Sequence, residues 1–219
     1  MDLIAEGVAR ALQILLSLDP EVLRITLLSL EVSCAATMVA VVIGVAAGTG
    51  LALYRFPGRE IVVALVNTSM GLPPVVVGLF VALMLWRSGP LGALGIIYTP
   101  AAMIIAQAVL ALPIVTGITM ASIQQIPPGF RLQILALAAT PLQAAWTMVK
   151  EARLPLLAAV MAGFGGVISE VGASIMVGGN IKGHTRVLTT AIVLETGQGD
   201  FDQAIALGII LFALALALT

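Results

Sequence analysis

Charged residues are so widely spaced along this chain that the uncharged stretches between them define its elements. About 20 apolar residues in a helix cross the ~30 Å hydrocarbon core of a bilayer, and several stretches approach that length. Residues 32–54 form the first; its helix is expected to begin earlier, near Ile25, and to close at Arg55-Phe56-Pro57-Gly58-Arg59. Residues 61–86 form the second, interrupted by Gly71-Leu72-Pro73-Pro74. That interruption frees backbone carbonyls, which are tolerated at membrane depth only where protein or a wet cavity receives them. The third span, residues 99–123, contains Pro113, and a fourth runs from about residue 154 to 177 with Glu170 inside it. The fifth runs from about residue 204 to the end, where the chain stops at LALALT without a polar flank, so the natural protein is expected to continue.

Two other apolar stretches fit a span less well. Residues 132–149 carry no charge, yet hold Gln133, Pro141 and Gln143 and are bracketed by Arg131 and Lys150, a pattern that predicts short helices on a membrane face. Residues 187–195 are too few to cross. The pattern therefore predicts an all-α membrane protein with about five transmembrane helices.

Composition agrees. Of the 219 residues 60% are apolar and only 10% charged, with a mean hydropathy of +1.14, against roughly 25% charged in a soluble domain. A net charge of −1 offers no footprint for nucleic acid. The single cysteine, Cys34, excludes an internal disulfide and a cysteine-based metal cluster and reads as a packing residue. The N-terminal segment, residues 1–21, begins MDLIAEGVARALQILLS and places Asp2 and Glu6 where an export signal carries basic residues. It reads as an amphipathic segment ahead of a membrane domain spanning residues 22–219. Basic residues divide five to five between the two sides, with Arg55, Arg59, Arg131, Lys150 and Arg153 on one and Arg10, Arg24, Arg87, Lys182 and Arg186 on the other. Charge alone therefore sets no orientation.

The last third holds the candidate chemistry, in ISEVGASIMVGGNIKGHTR. Gly178 to Thr185 nearly spells a phosphate-binding loop, but His184 stands where the lysine belongs and a membrane helix precedes it instead of a strand. One histidine cannot make a paired metal motif or a general-base set. The sequence thus holds no catalytic constellation and no metal site, and the chain is not read as an enzyme.

ISEVGASIMVGGNIKGHTRVLTTAIVLET, with RFPGRE after the first span and NTSMGLPPVVVGL in the second, resembles the permeases of ABC importers for molybdate and tungstate oxyanions, closest to the tungstate branch. The resemblance covers the chain from about residue 22. It implies the type I importer permease core, in which two copies pair as a homodimer, a cytoplasmic ATPase dimer binds ATP and Mg, and a periplasmic or extracellular oxyanion-binding protein delivers the anion. This chain itself is then expected to hold no cofactor. The implied setting is the cell (inner) membrane, crossed several times, with the N-terminus outside, residues 132–149 cytoplasmic, GGNIKGHTR periplasmic and the C-terminus inside.

There are departures in the cytoplasmic loop, about residues 131–150. The family pattern reads Glu-Ala-Ala, three residues, Gly, nine residues, Ile, one residue, Leu-Pro. With Ala138 at the Gly position, Leu132-Gln133-Ile134 replaces Glu-Ala-Ala, Met148 stands for Ile, and Lys150-Glu151 replaces Leu-Pro. The acidic ATPase-facing residue is missing, so the resemblance carries Ala138, Ala139, Thr140, Pro141 and Met148 as the coupling loop. The residues themselves support a knob: Ala136, Ala138 and Ala139 are small enough for close approach, and Pro141 fixes the turn into the next helix. As a plain alternative, the alanines are only good helix formers.

Asn180, Lys182, His184 and Arg186 are expected to meet the anion or its binding protein, by attraction of a tetrahedral dianion or of acidic side chains. Basic residues beside membrane helices also serve as interfacial anchors. Pro73, Pro74, Glu170 and Gly172 are the expected path and gate, since broken helices near the midplane commonly line a route, although a kink also serves packing alone. On a continuous helix Gly163, Gly166, Glu170 and Ala173 share one small-residue face. A carboxylate repels a dianion by about 1 kcal/mol per charge pair at 4 Å even in water. Glu170 is therefore expected to be structural, accepting hydrogen bonds from a neighbouring helix or donating one when protonated, and so holding a gate conformation.

The function this implies is tungstate import by ATP-driven alternating access, with hydrolysis in the partner ATPase. Molybdate or another oxyanion is the nearest alternative. A stand-alone secondary transporter or channel would need an ion-coupling set or inverted repeats, which the sequence does not display. A membrane scaffold is separated from all of these by copurification with an ATPase.

Overall fold

A computed structural model describes residues 7–10, 13 and 19–218, and every regular element among them is helical. The proposed amphipathic segment, residues 1–21, thus lies largely outside the described residues. Three helices are long and apolar enough to cross a membrane, or up to five if each bent pair counts as one span. The expected number, about five, stands at the upper end of that range.

Helix α1, Pro20–Leu53, is the first span. It starts before the expected Ile25 because Asp19 caps it: the carboxylate accepts hydrogen bonds from the Glu21 and Val22 amides at 2.8 and 3.3 Å, and Pro20 lacks the N–H that a first helical position would leave unpaired. The interrupted second span is two helices, α2 at Arg59–Ser69 and α3 at Pro74–Leu85. A short 3-10 turn, Gly92–Leu94, precedes α4, Pro100–Gln124, which contains Pro113. The loop predicted as short helices is α5, Pro128–Ala136, followed by α6, Pro141–Glu151. Helix α7, Arg153–Ile168, follows α6 after a 73° bend. Helices α8, Gly172–Gly178, α9, Leu188–Gln198, and α10, Phe201–Leu218, complete the chain.

One expectation fails here. The fourth span, residues 154–177, is not one helix: it breaks between Ile168 and Gly172, so Glu170 does not share a helical face with Gly163, Gly166 and Ala173. The physical reason is competition for backbone groups. Ser169 Oγ turns back to the Gly165 and Gly166 carbonyls at 2.7 and 3.3 Å, and the Glu170 carboxylate takes the Ala173 amide at 3.0 Å. A hydroxyl that bonds back to local carbonyls weakens a helix without ending it by itself, as at Ser29 and Ser122. Here the preceding glycines are weak helix formers, and the Glu170 carboxylate competes for the Ala173 amide.

The chain divides into two compact units. The first takes residues up to 36, 73–107 and 165–219; the second takes 37–72 and 108–164. In the first, α3 packs on α8 and α9 on α10, over a core of Val22, Ile25, Leu188, Ala191, Leu207 and Ile210. Gly78 is what lets α3 reach α8, because a Cβ there would sit 2.6 Å from the Ala173 Cα. In the second, Ile123, Ile134, Ala144, Met148, Ala152 and Leu156 form the core under α5 and α6. There Gly44 and Gly48, one helical turn apart, let α1 lie against α4: a Cβ at Gly48 would stand 2.6 Å from the Thr116 carbonyl oxygen. This is the small-xxx-small contact by which membrane helices approach when lipid supplies no hydrophobic drive.

Candidate functional site

Three groups of expected residues fall in definite places. The first is the break around Glu170, in the first unit. The Glu170 carboxylate caps α8 through the Ala173 amide, a position where the helix dipole favours negative charge. The Glu170 carbonyl, freed by the break, accepts a hydrogen bond from Thr189 Oγ1 of α9 at 2.9 Å and a longer one, 3.3 Å, from Ser174 Oγ. Gly172 lies against the first turn of α3, where an added Cβ would meet Val75 Cγ2 at 2.6 Å and the Val75 amide nitrogen at 3.5 Å. The structure therefore brings Glu170 and Gly172 to the helix start that Pro73 and Pro74 create. The carboxylate already occupies the Ala173 amide at the start of α8, so an anion approaching that helix end would meet like charge.

Sequence reasoning missed a neighbour of that junction. Gln107, almost wholly buried in α4, donates from Nε2 to Ser174 Oγ of α8 at 2.9 Å. A glutamine inside an uncharged span was the available signal, since buried polar groups in a membrane helix usually face a partner rather than lipid.

The second group is the loop from α8 to α9. Its backbone is organised by Thr185, which is fully buried: Thr185 Oγ1 donates to the Gly178 carbonyl at 2.6 Å and accepts from the Ile181 amide at 3.0 Å. The His184, Thr185 and Arg186 amides all donate to the Ile181 carbonyl. Asn180, at φ 50°, donates from Nδ2 to the Thr190 carbonyl at 3.3 Å, so its amide is used to shape the loop. The loop is tied to α1, where Ser29 Oγ accepts from the Leu188 amide at 2.8 Å. Lys182 Nζ pairs with Glu21 at 2.8 Å and Arg186 approaches the same carboxylate at 3.9 Å. These side chains, with Arg24 and His184, line an open cleft of about 340 Å³. Three full cations thus face one carboxylate, leaving the cleft positive. Glu21 was not singled out in the sequence, because nothing local links it to residues so far along the chain.

The third group is the loop between α5 and α6, in the second unit. Ala138 has φ 59°, in the left-handed region that glycine adopts without penalty. Thr140 then caps α6 reciprocally with Gln143: the Gln143 amide donates to Thr140 Oγ1 at 3.4 Å and the Thr140 amide to Gln143 Oε1 at 2.9 Å. Pro141 occupies the first helical position. Met148 is buried and Ala139 half-buried against the same cluster. The side chains left standing outward are Leu137, 83% exposed, and Leu142, 81% exposed, with Leu132 and Trp146 nearby in sequence and also exposed.

Several membrane-length helices, a helix break joined by polar side chains and an outward apolar loop between two short helices define a helical protein with three to five candidate membrane spans. Residues 40–219 match the family model for the binding-protein-dependent transport system inner membrane component, and the chain belongs to that family. It is 39% identical over 218 residues, covering all of this chain and 96% of the relative, to the tungstate uptake system permease protein TupB of Peptoclostridium acidaminophilum. It is 41% identical over 197 residues, 88% of this chain and 85% of the other, to a probable anion ABC transporter permease protein of Haloferax volcanii. Among solved structures, an amino acid ABC transporter crystallised with histidines matches in fold with a TM-score of 0.66 at 19% identity, over 93% of this chain and 92% of that one. The type I permease core and a place in the inner membrane follow for this chain.

Proposed function

We propose that this chain is the permease subunit of a tungstate importer, working as a homodimer with a cytoplasmic ATPase dimer below and an extracytoplasmic oxyanion-binding protein above. The observation that carries the reading is identity of 39% along the entire chain with a tungstate uptake permease. ATP and Mg belong to the partner ATPase, whose closing and opening would expose the route to one side and then the other. In this reading the N-terminus lies outside, the loop from α5 to α6 lies in the cytoplasm, and the loop carrying Asn180, Lys182, His184 and Arg186 lies outside.

The coupling surface is Ala138, Ala139, Thr140, Pro141 and the adjoining leucines. Two buried residues, Ala144 and Met148, hold it from beneath. The gate is the junction of Pro73, Pro74, Gly172 and Glu170, in which the carboxylate fixes the start of α8 and does not bind the cargo. The positive cleft around Lys182 attracts the anion's carrier or the anion itself.

Reconstitution of the permease with its ATPase and binding protein in liposomes tests the reading. Tungstate accumulation that requires ATP, the ATPase and the binding protein supports it, with molybdate and sulfate as competitors that grade selectivity. Equal transport without ATP would make the chain a channel or secondary transporter, and preferred uptake of molybdate would replace the cargo.

A further inference from the structure

The second unit contains a cationic cleft to which transport assigns no task. It measures about 810 Å³ and is lined by Arg55 and Phe56 after α1, Arg59, Glu60 and Ile61 of α2, Gln124 at the end of α4, and Arg131 of α5, three arginines against one carboxylate. Arg59 is engaged, donating from Nε to the Leu51 carbonyl at 2.8 Å and pairing with Glu60 at 2.7 Å. Arg55 and Arg131 are exposed and have no ion pair or hydrogen bond among the described residues. Two guanidinium groups are therefore free to receive an anion. Their planar forks match tetrahedral oxyanions, phosphate above all, better than point charges do.

The same cleft has an apolar margin. Ile61 is 67% exposed and Phe56 is 44% exposed. Val62 and Leu65 continue the exposed apolar surface along α2, which has no buried residue at all. Arginines beside an uncovered apolar helix face, next to the end of a membrane-length helix, fit a ligand with an anionic head and acyl chains.

We propose that this cleft binds a phosphoryl-class tetrahedral anion, supplied as the headgroup of an anionic phospholipid. The inference rests on the membrane family and not on tungstate as cargo. The headgroup would bridge the segment after α1 to α5, and α5 leads directly into the exposed loop at Leu137.

The test uses the full chain in nanodiscs of phosphatidylcholine alone or mixed with phosphatidylglycerol, with retained lipids counted by native mass spectrometry. The wild type and Arg153→Gln, a substitution outside the cleft, should retain phosphatidylglycerol. Arg55→Gln/Arg131→Gln should bind it roughly 5-fold more weakly for each arginine removed, while melting normally in phosphatidylcholine. A rise in melting temperature with inorganic phosphate in phosphatidylcholine discs, lost in the double variant and without preference for phosphatidylglycerol, would keep the anion site and make its source soluble. Equal phosphatidylglycerol retention by wild type and double variant, with no response to phosphate in either, would overturn the proposal. So would a double variant that loses only ATPase affinity, regardless of lipid and phosphate, because the arginines would then serve a protein interface.

Discussion

At the scale of single residues, two positions show how backbone geometry and polar chemistry were only half legible. Ala138 stands at the Gly position of the resembled loop pattern, and the structure explains the preference: φ 59° costs an alanine about 1 kcal/mol that a glycine avoids. Ala138→Gly should therefore raise stability by up to about 1 kcal/mol, less what glycine's extra freedom in the unfolded chain takes back. Thermal unfolding in detergent reads this, and a lowered melting temperature would contradict it. Glu170 was expected to bond a donor on a neighbouring helix, whereas its carboxylate instead takes the amide of Ala173, three residues further along its own chain. Its location in a helix break was not legible, because hydrophobic periodicity does not record that Ser169 and Glu170 bond to local backbone. Glu170→Gln preserves an acceptor for the Ala173 amide, whereas Glu170→Ala leaves that donor unmet at a cost of roughly 1 kcal/mol or more. Transport should survive in the Gln variant and become uncoupled from hydrolysis in the Ala variant. A large gain of anion transport in both would mean that the charge stands in the route.

At the scale of elements, the positions of helices followed from uncharged length and from Pro and Gly punctuation, and those signals placed α1 to α4 and α10 within a few residues. The loop between α5 and α6 was also legible as short helices, since Gln133, Pro141 and Gln143 interrupt an otherwise membrane-like run. Which side chains face outward was not. That depends on the half-turn introduced at Ala138 and on Ile134, Ala144 and Met148 being drawn into the core. Leu137 and Leu142 are the consequence, two large apolar side chains on either side of the turn with more than four-fifths of their surface uncovered. Under the proposed coupling role they seat in the ATPase, so Leu137→Asp and Leu142→Asp should each carry a charge into a closed contact and weaken assembly by at least tenfold, a loss of about 1.4 kcal/mol. Because both side chains are exposed in the free chain, its melting temperature should hardly change. Unaltered copurification with the ATPase would remove these residues from the interface.

At the scale of the whole molecule and its partners, the positive loop between α8 and α9 shows what only long-range folding supplies. The sequence displayed Lys182, His184 and Arg186 as a cluster, but Glu21 joins them through the packing of α1 and α9, seen in the shared core of Val22, Ile25, Leu188 and Ala191. The Lys182 side chain is 67% exposed and Arg186 only 14% exposed, so the two should behave differently. An exposed pair such as Lys182 with Glu21 contributes at most about 1 kcal/mol to stability, which leaves the lysine available to a passing anion or an acidic carrier. Arg186 is mostly enclosed, and its loss should act on the loop's structure. Lys182→Gln should then slow uptake at low ionic strength and approach the wild type at high salt, because screening already suppresses steering there. Arg186→Gln should lower folded abundance at every salt concentration. Glu21→Gln tests the direction of the effect: it removes the carboxylate that lines the Lys182 cleft, makes that cleft more positive, and should raise low-salt uptake rather than lower it. Uptake measured across a salt series in reconstituted complexes separates these outcomes, and a salt-independent defect in Glu21→Gln and Lys182→Gln alike would reduce the cluster to a structural clasp between α1 and the loop.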